Sequence, residues 1–587
     1  MNIVGISAHY HDAACCLLVN GKLVAAAEEE RFTRLKHDPS IPRHALRHCL
    51  NAAGLDIVDI DCIAYYENPH RKLERQLAMS LPHLHARPNL SFRRQVDPAI
   101  VMRDIRDVLG YEGRVECFEH HRSHAASSYY YAGFDDAAVL TVDGVGEWNT
   151  MSFAHGRGSR LDLLGHVDFP HSIGLLYSTI TAYLGFEVNE GEYKVMGLAP
   201  YGKPTLVEPM RQLVKRSEGG SFELDLQYFA FIGEDVMYSP ALEALFDHPA
   251  RQRGAALDGF HYDVARSLQL VLEELLLEKV RYLHMLVPSE NLCMAGGVAL
   301  NCVANGRIHR EGPFRNLFVQ PASNDSGCAF GAAALGHVLL TGEAPGLGEL
   351  RHVYLGSANA GTEVSRLLEN SPASWQSFAG DEAALVDAVA ERLSAGKVIG
   401  WVQGAMEFGP RALGARSILA DPRVPDMRER INRAVKKREG FRPFAPSVLK
   451  AHASSHFDLA YPSPFMLETC QTRSPLELPS ITHVDGSARV QTVDEAVSPR
   501  YARLIEAFHH RTGCPLLLNT SFNLKDEPIV RTFEDALICF LRSAIDCLVV
   551  EDALIDRDDV PETWLKRFGD TAPLVSSGIA HNVYSFI

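Results

Sequence analysis

Ala138-Val139-Leu140-Thr141-Val142-Asp143-Gly144-Val145-Gly146-Glu147-Trp148-Asn149-Thr150-Met151-Ser152-Phe153-Ala154 reads as an apolar strand, an acidic turn with two glycines, and a second strand. A short unbroken apolar run bounded by turn residues suits a strand covered on both faces. The N-terminus repeats the device: a strand over 3–7, a loop over 8–12, a strand over 13–19, Asn20-Gly21, and a strand over 22–27. Asn-Gly between apolar runs is a strong signal for a tight hairpin. A third segment, Asn291-Leu292-Cys293-Met294-Ala295-Gly296-Gly297-Val298-Ala299-Leu300-Asn301, is an apolar strand ending in a glycine pair. Glycines at such a place let backbone N–H groups approach a phosphate or ribose closely.

Two hairpin halves followed by a Gly-Gly turn are expected to form a duplicated α/β fold of the kind shared by actin, sugar kinases and Hsp70-type ATPases, with a nucleotide between the halves. At 587 residues the chain is too long for one core. Between about 340 and 375 it becomes rich in Gly, Ala, Pro and Ser, as a linker would. An amphipathic helix over 382–395, Gly396 and a strand over 398–402 then open a second domain. The expected division is 1–345, a linker at 346–375, and 376–587, with no recognisable site after Pro561.

The composition, 46% hydrophobic and 22% charged, is that of a globular chain, and no apolar run is long enough to span a bilayer. The first seven residues lack the basic start of a signal peptide, and His9, His11 and Asp12 follow at once. A cytoplasmic protein is therefore expected. The 12 cysteines form no Cys-x-x-Cys pair, which points to buried or free thiols. A formal net charge of -16 argues against nucleic acid or an anionic membrane as partner. Phosphate chemistry would then need a concentrated basic patch.

Glu119-His120-His121-Arg122-Ser123-His124-Ala125-Ala126 has helical character, and His120 and His124, four apart, share one helix face. With Asp143 and with Asp325 of Ser323-Asn324-Asp325-Ser326-Gly327 they make a mixed imidazole and carboxylate set that suits iron, manganese or zinc. Positive charge concentrates over 411–442. A basic run is ordinarily a solvated helix face, and that is the expectation for Arg423 to Arg433. Arg411, in Phe408-Gly409-Pro410-Arg411-Ala412-Leu413-Gly414, and Arg442, in Gly440-Phe441-Arg442-Pro443-Phe444, stand instead in rigid, small or apolar settings. Such arginines, with Lys436, would match the oxygens of a phosphate or carboxylate. Leu516-Leu517-Leu518-Asn519-Thr520-Ser521-Phe522-Asn523 ends a buried strand in side chains suited to a small polar ligand.

Tyr10-His11-Asp12-Ala13, Glu28-Glu29-Glu30-Arg31-Phe32-Thr33-Arg34, His120-His121-x-x-His124-Ala125, Val142-Asp143-Gly144, Glu192-Tyr193-Lys194-Val195-Met196-Gly197-Leu198-Ala199-Pro200-Tyr201-Gly202, the Gly296 and Gly409 segments above, and Asn519-Thr520-Ser521-Phe522-Asn523 stand in this order. As an ordered set spanning nearly the whole chain they resemble the NodU/CmcH-type ATP-dependent O-carbamoyltransferases of antibiotic and toxin biosynthesis. The resemblance implies an actin/Hsp70-like (ASKHA) N-terminal domain, similar to the transferase of tRNA threonylcarbamoylation, and a C-terminal YrdC-like α/β domain. It implies that ATP and carbamoyl phosphate yield carbamoyl adenylate in the second domain. The carbamoyl group then passes to a hydroxyl of a small natural product or sugar derivative in the first.

Matched motif to motif, the resemblance makes His120, His124, Asp143 and Asp325 ligands of a divalent metal, Fe(II), and His11 the general base, with Lys36 lining the acceptor pocket. Asp143, Gly174, Gly296, Gly297, Asn301 and Asn305 become nucleotide residues; Arg411, Lys436, Arg442, Arg489, Asn519 and Ser521 become the carbamoyl phosphate site. A homodimer is expected. The acceptor loops are expected between Lys203 and His261, where Asp225, Glu234 and Asp235 are solvated charges or contacts for a cationic substrate. Competing readings are a tRNA threonylcarbamoylation enzyme, disfavoured by the acidic charge, and a non-catalytic nucleotide-gated ASKHA binding protein, which leaves the arginine-rich second domain unexplained.

Overall fold

The computed structural model describes residues 1–82, 97–346 and 348–569. Among these the chain forms two compact units. The first holds Met1–Glu29 and His37–Leu350; the second holds Glu30–Lys36 and the chain from Arg351 onward. No helix among the described residues is long and apolar enough to cross a membrane. The cysteines are all free, and all but Cys117 are buried or nearly so. The end of the chain after Gly569, expected to carry no site, lies outside the described residues.

The first unit uses one plan twice. β1 (Asn2–Ser7), β2 (Ala14–Val19) and β3 (Lys22–Glu28) form an antiparallel meander, and β4 (Cys62–Tyr65) and β5 (Val115–Cys117) extend β1 in parallel, in the order β3-β2-β1-β4-β5. β6 (Asp136–Val142), β7 (Asn149–Arg157) and β8 (Arg160–Asp168) repeat the meander, and β9 (Asn291–Ala295) and β10 (Asn316–Val319) repeat the parallel extension, in the order β10-β9-β6-β7-β8. Asn20 (φ 51) and Gly21 (φ 72) turn the first hairpin in the left-handed region that such two-residue turns require.

Two helices hold the halves together. α1 (His120–Tyr129) precedes β6, and α4 (Asp325–Thr341) follows β10; between them lie α2 (Ile173–Tyr183) and α3 (Cys302–Glu311). α4 is rich in Gly and Ala, and this lets it approach backbone on both sides. A Cβ on Gly331 would stand 1.7 Å from the Ser123 carbonyl oxygen of α1, and one on Gly5 of β1 would stand 1.9 Å from the Ala329 carbonyl oxygen of α4.

The second unit is built on a mixed sheet. Its strands are β11 (Gln376–Ser377), β12 (Ile399–Val402), β13 (Arg416–Ala420), β14 (Ala445–Leu449), β15 (Gln491–Val493), β16 (Leu516–Ser521), β17 (Cys547–Val550) and β18 (Ala553–Asp556), in the order β11-β18-β17-β12-β13-β16-β14-β15. Trp401, Leu419, Val448, Leu517 and Val549 anchor its core.

Three expectations change here. Within the stretch expected to be a linker, α5 (Gly361–Glu369) forms and buries Val364 and Leu368 in the second unit's core. One apolar pair at i,i+4 is too short a pattern to stand out from small and polar neighbours. The basic run is only in part a solvated face: Arg433 is exposed, but Arg423 pairs with Asp421 at 2.7 Å, and Arg430 with Asp546 at 2.6 Å and the Gly396 carbonyl at 2.9 Å. Only Met427–Arg430 is α-helix, followed by a π turn at Ile431–Val435 that buries Ile431 and Val435. Lastly, residues 30–36 leave their sequence neighbours for the second unit, where Arg34 donates to the carbonyls of Ile529 (2.7 Å) and Pro528 (2.8 Å) and Arg31 to that of Gly409 (2.8 Å).

At an exposed helix position Gly→Ala gains about 1 kcal/mol of helix propensity. At Gly331 the added methyl meets backbone, so Gly331→Ala is expected to lose about 1–3 kcal/mol of stability. Denaturant unfolding checks this, and a variant more stable than wild type contradicts the close approach.

Candidate functional site

In the first unit α1 brings His120 and His124, 1% and 0% exposed, to one point, with ring centroids 4.6 Å apart. Asp143 arrives from the end of β6 and Asp325 as the first residue of α4. His120 Nε2 lies 3.2 Å from Asp143 Oδ2 and 3.7 Å from Asp325 Oδ1; His124 Nε2 lies 3.8 and 3.6 Å from the same two oxygens. His120 Nδ1, both His124 nitrogens and Asp325 Oδ2 are buried without a hydrogen-bond partner. Such groups are costly to bury unless something else satisfies them. All four side chains offer one donor atom within 4.8 Å of the others, so the set can hold a divalent cation.

The surroundings fix these donors. Glu147 accepts from the backbone N–H of His120 (3.0 Å) and of Asn68 (2.6 Å), locking the start of α1. Gly297 N donates to Asp143 Oδ1 at 2.8 Å. Gly296 has φ 94, and a Cβ there would strike the Val142 carbonyl oxygen at 2.2 Å. Gly174, in the first turn of α2, would place a Cβ 2.6 Å from the Asp143 carbonyl oxygen. All three glycines therefore sit against the end of β6. Asn301 exchanges hydrogen bonds with Gln269 (3.0 and 3.1 Å) and caps α3 through Ala304 N (3.0 Å), while the fully buried Asn305 braces the Ala299 carbonyl at 2.7 Å. Asn305 thereby holds the turn that follows Gly297. Cys328, one helical turn after Asp325, makes a second three-donor group with His120 and His124, and burial raises its thiol to about 12. Only its spacing from Asp325 on a helix would have revealed it in the sequence.

His11 joins this cluster. Its Nδ1 is 2.9 Å from Asp12 Oδ2 and 3.9 Å from Asp325 Oδ2. Asp12 continues the chain: Oδ1 meets His37 Nδ1 at 2.6 Å, His37 Nε2 meets Glu190 Oε1 at 2.9 Å, and Asn324 Nδ2 donates to Asp12 Oδ2 at 2.9 Å. The loop bearing His11 is shaped by left-handed His9 (φ 68) and Asp12 (φ 53). His9 is itself fixed by Tyr65 Oη (2.9 Å) and Asp104 (3.0 Å). His37, Glu190 and His9 carry no local signature and were not singled out in the sequence. Of the acidic loop residues, Asp225 pairs with Lys215 at 3.3 Å, and Glu234 and Asp235 are exposed.

In the second unit, β16 presents Asn519 and Ser521, two apart and so on one face. Asn519 Nδ2 donates to Ser447 Oγ (3.0 Å), Gln491 Oε1 (3.0 Å) and the Ala412 carbonyl (3.2 Å). Its buried Oδ1 has no hydrogen-bond partner. Buried Lys436 donates to Ser521 Oγ (3.1 Å), Asn523 Oδ1 (2.7 Å) and the Asn523 and Ser521 carbonyls. Burial first, then the charges of Arg438, Arg442 and Lys36, hold its pKa well below the usual lysine range. Lys36 thus belongs with this basic group, in the second unit. The loop carrying Arg411 is clamped by Glu407, which accepts from Leu413 N (2.7 Å) and Ala415 N (2.8 Å), and opens and closes on Gly409 (φ 105) and Gly414 (φ 106). Arg489 is half-buried, two residues before Gln491. The arrangement is an excess of positive charge around fixed amide and hydroxyl groups, suited to a small anion.

Burial alone would lower the pKa of His37, but the charge and hydrogen bond of Asp12, with Glu190, raise it well above 6.5. A group raised in the folded state contributes stability that is complete below its unfolded pKa and is lost as pH rises through the folded value. Wild type is therefore expected to lose melting temperature above pH 6.5 more steeply than His37→Gln. Equal slopes by calorimetry across neutral to alkaline pH would contradict the bonding of this chain.

Residues 2–334 match the family model described as carbamoyltransferase N-terminus, and residues 390–557 the one described as carbamoyltransferase C-terminus. The chain is 41% identical to an uncharacterized protein of Synechocystis sp., over 97% of this chain and 99% of that protein. It is 39% identical to the nodulation protein NolNO of Sinorhizobium fredii, over 98% of this chain and 83% of that protein. Across 47% of this chain and 49% of its own length, 3'-hydroxymethylcephem-O-carbamoyltransferase of Amycolatopsis lactamdurans is 36% identical. With both halves matched in order along one chain, and relatives aligned over nearly all of it, this protein belongs to the NodU/CmcH-type carbamoyltransferase family.

Proposed function

We propose that the chain is an ATP-dependent O-carbamoyltransferase whose second unit, YrdC-like in this reading, makes carbamoyl adenylate and whose first, ASKHA-type unit transfers the carbamoyl group to a hydroxyl of a small natural product or sugar derivative. The observation that carries it is the His11–Asp12 couple, 3.9 Å from Asp325 of the four-donor cluster. A histidine whose Nδ1 is bonded to a carboxylate keeps Nε2 for a substrate proton. The relative from Amycolatopsis supports the acceptor class, since its name specifies a hydroxymethyl group.

In the second unit Arg411, Lys436, Arg442 and Arg489 are assigned to the phosphate of carbamoyl phosphate, and Asn519 and Ser521 to its carbamoyl end. Water cleaves the bond to phosphate, releasing phosphate and carbamate. A carbamate oxygen then attacks the α-phosphorus of ATP, the α–β phosphoanhydride bond breaks, and pyrophosphate leaves. In the first unit His11 takes the proton of the acceptor hydroxyl as its oxygen bonds to the carbamoyl carbon, and the bond to AMP breaks. His120, His124, Asp143 and Asp325 would hold a divalent ion, Fe(II) in this reading, whose chemistry there is neutralisation of phosphate charge. Carbamate and carbamoyl adenylate are labile in water, so one chain carrying both steps limits their loss.

His11→Asn is expected to leave carbamoyl adenylate formation unchanged and to slow transfer by roughly 10²–10⁴-fold, the usual worth of a general base. Arg442→Ala is expected to slow adenylate formation by about 10²–10³-fold, the order for losing one preorganised charge-stabilising group. Single-turnover assays separate the steps. Loss of adenylate formation in His11→Asn would overturn the division of labour.

A further inference from the structure

A second group of side chains of metal-ligating type lies in the second unit and includes none of the residues assigned to carbamoyl phosphate. His452 ends the short turn Lys450–His452, and His456 ends the single helical turn Ala453–His456 that follows. Facing them, α7 (Pro499–Thr512) carries Glu506, His509 and His510. His452, Glu506 and His509 each offer one donor atom within 4.8 Å of the other two. The rings of His452 and His509 meet edge to face, 4.8 Å between centroids at 72°.

Two observations separate this group from an ordinary polar patch. His509 Nδ1 is buried with no hydrogen-bond partner. It stands 3.9 Å from Glu506 Oε1, beyond hydrogen-bonding reach. Ligands of one tetrahedral zinc ion, each roughly 2.0–2.2 Å from it, lie roughly 3.3–3.6 Å apart, so a small inward movement closes the set. The neighbouring imidazoles are differently engaged: His456 Nδ1 bonds Ser474 Oγ at 2.8 Å, and His510, 76% exposed, approaches Glu506 at 3.2 Å.

We infer that His452, Glu506 and His509 form a second divalent-cation site of the zinc class, distinct from the cluster around Asp325. Two imidazoles and one carboxylate are borderline donors that favour zinc over magnesium or calcium, with water in the fourth position. The ion ties α7 to the turn before Ala453. α7 also packs on β14 and β16, the strands of Ser447 and Asn519, so the site braces the sheet that presents the anion-binding side chains.

The test uses the full-length protein, stripped of metal with a chelator and equilibrated with Zn(II), with bound zinc counted after gel filtration and Co(II) used as a spectroscopic substitute. The expected result is the loss of one equivalent of zinc in His509→Ala and in His452→Gln. The same loss is expected in His124→Ala, and both equivalents should be lost in His452→Gln/His124→Ala. Circular dichroism confirms folding, and should His509→Ala fail to fold, His452→Gln decides alone. Zinc stoichiometry unchanged in His452→Gln overturns the proposal. Loss of zinc only in His124→Ala also overturns it, while leaving the Asp325 cluster intact as a metal site.

Discussion

The first unit depends on the place where two helices meet backbone to backbone. Gly331 of α4 faces the Ser123 carbonyl of α1, where a Cβ would stand 1.7 Å away. α1 supplies His120 and His124, and α4 supplies Asp325 at its first residue and Cys328 one turn later. A wider crossing would separate the histidines from that carboxylate. On the other face of α4, Gly5 brings β1 equally close, and β1 leads directly into the loop that carries His11. One helix of small residues thus sets the distance between the donor cluster and the histidine proposed as base.

The two units solve opposite electrostatic problems. The first gathers carboxylates and imidazoles, where Asp12 and Asp143 are held well below the usual carboxylate range: burial would raise each, and the neighbouring histidines more than compensate. His120, His124 and Asp325 leave buried atoms without a hydrogen-bond partner, and with Asp143 they form a donor set that can hold a cation. The second gathers Lys436 with Arg438, Arg442 and Lys36, where burial and like charge disfavour the protonated lysine and an incoming anion would relieve it. A reaction that activates an anionic carbamoyl donor and later releases AMP has use for both. The proposed division of labour follows from that contrast.

Much of this was legible because it is local. Apolar runs on either side of Asn20-Gly21 announce the first hairpin, the run ending at Asp143 announces the second, and His120 and His124 declare a shared helix face by spacing alone. The helix expected over 382–395 stands as α6 (Glu382–Ser394). What was hidden depends on which groups the fold brings together. Arg423 and Arg430 look solvated until Asp421 and Asp546 are placed beside them. Lys36 follows the His11 motif in sequence, yet residues 30–36 are held in the second unit by Arg31, Arg34 and the stacking of Phe32 under Arg531. Glu407 is an unremarked glutamate until three backbone N–H groups of the Arg411 loop converge on it. Asn301 and Asn305, expected at a nucleotide, bond Gln269 and the Ala299 carbonyl respectively, contacts that no local motif announces.

The most direct test of the account is pyrophosphate release from ATP by the purified, metal-restored protein, with and without carbamoyl phosphate, with mass spectrometry for carbamoyl adenylate. The account predicts release that requires carbamoyl phosphate, together with the adenylate. Release supported by bicarbonate and threonine in its place, or no release under either condition, would contradict it.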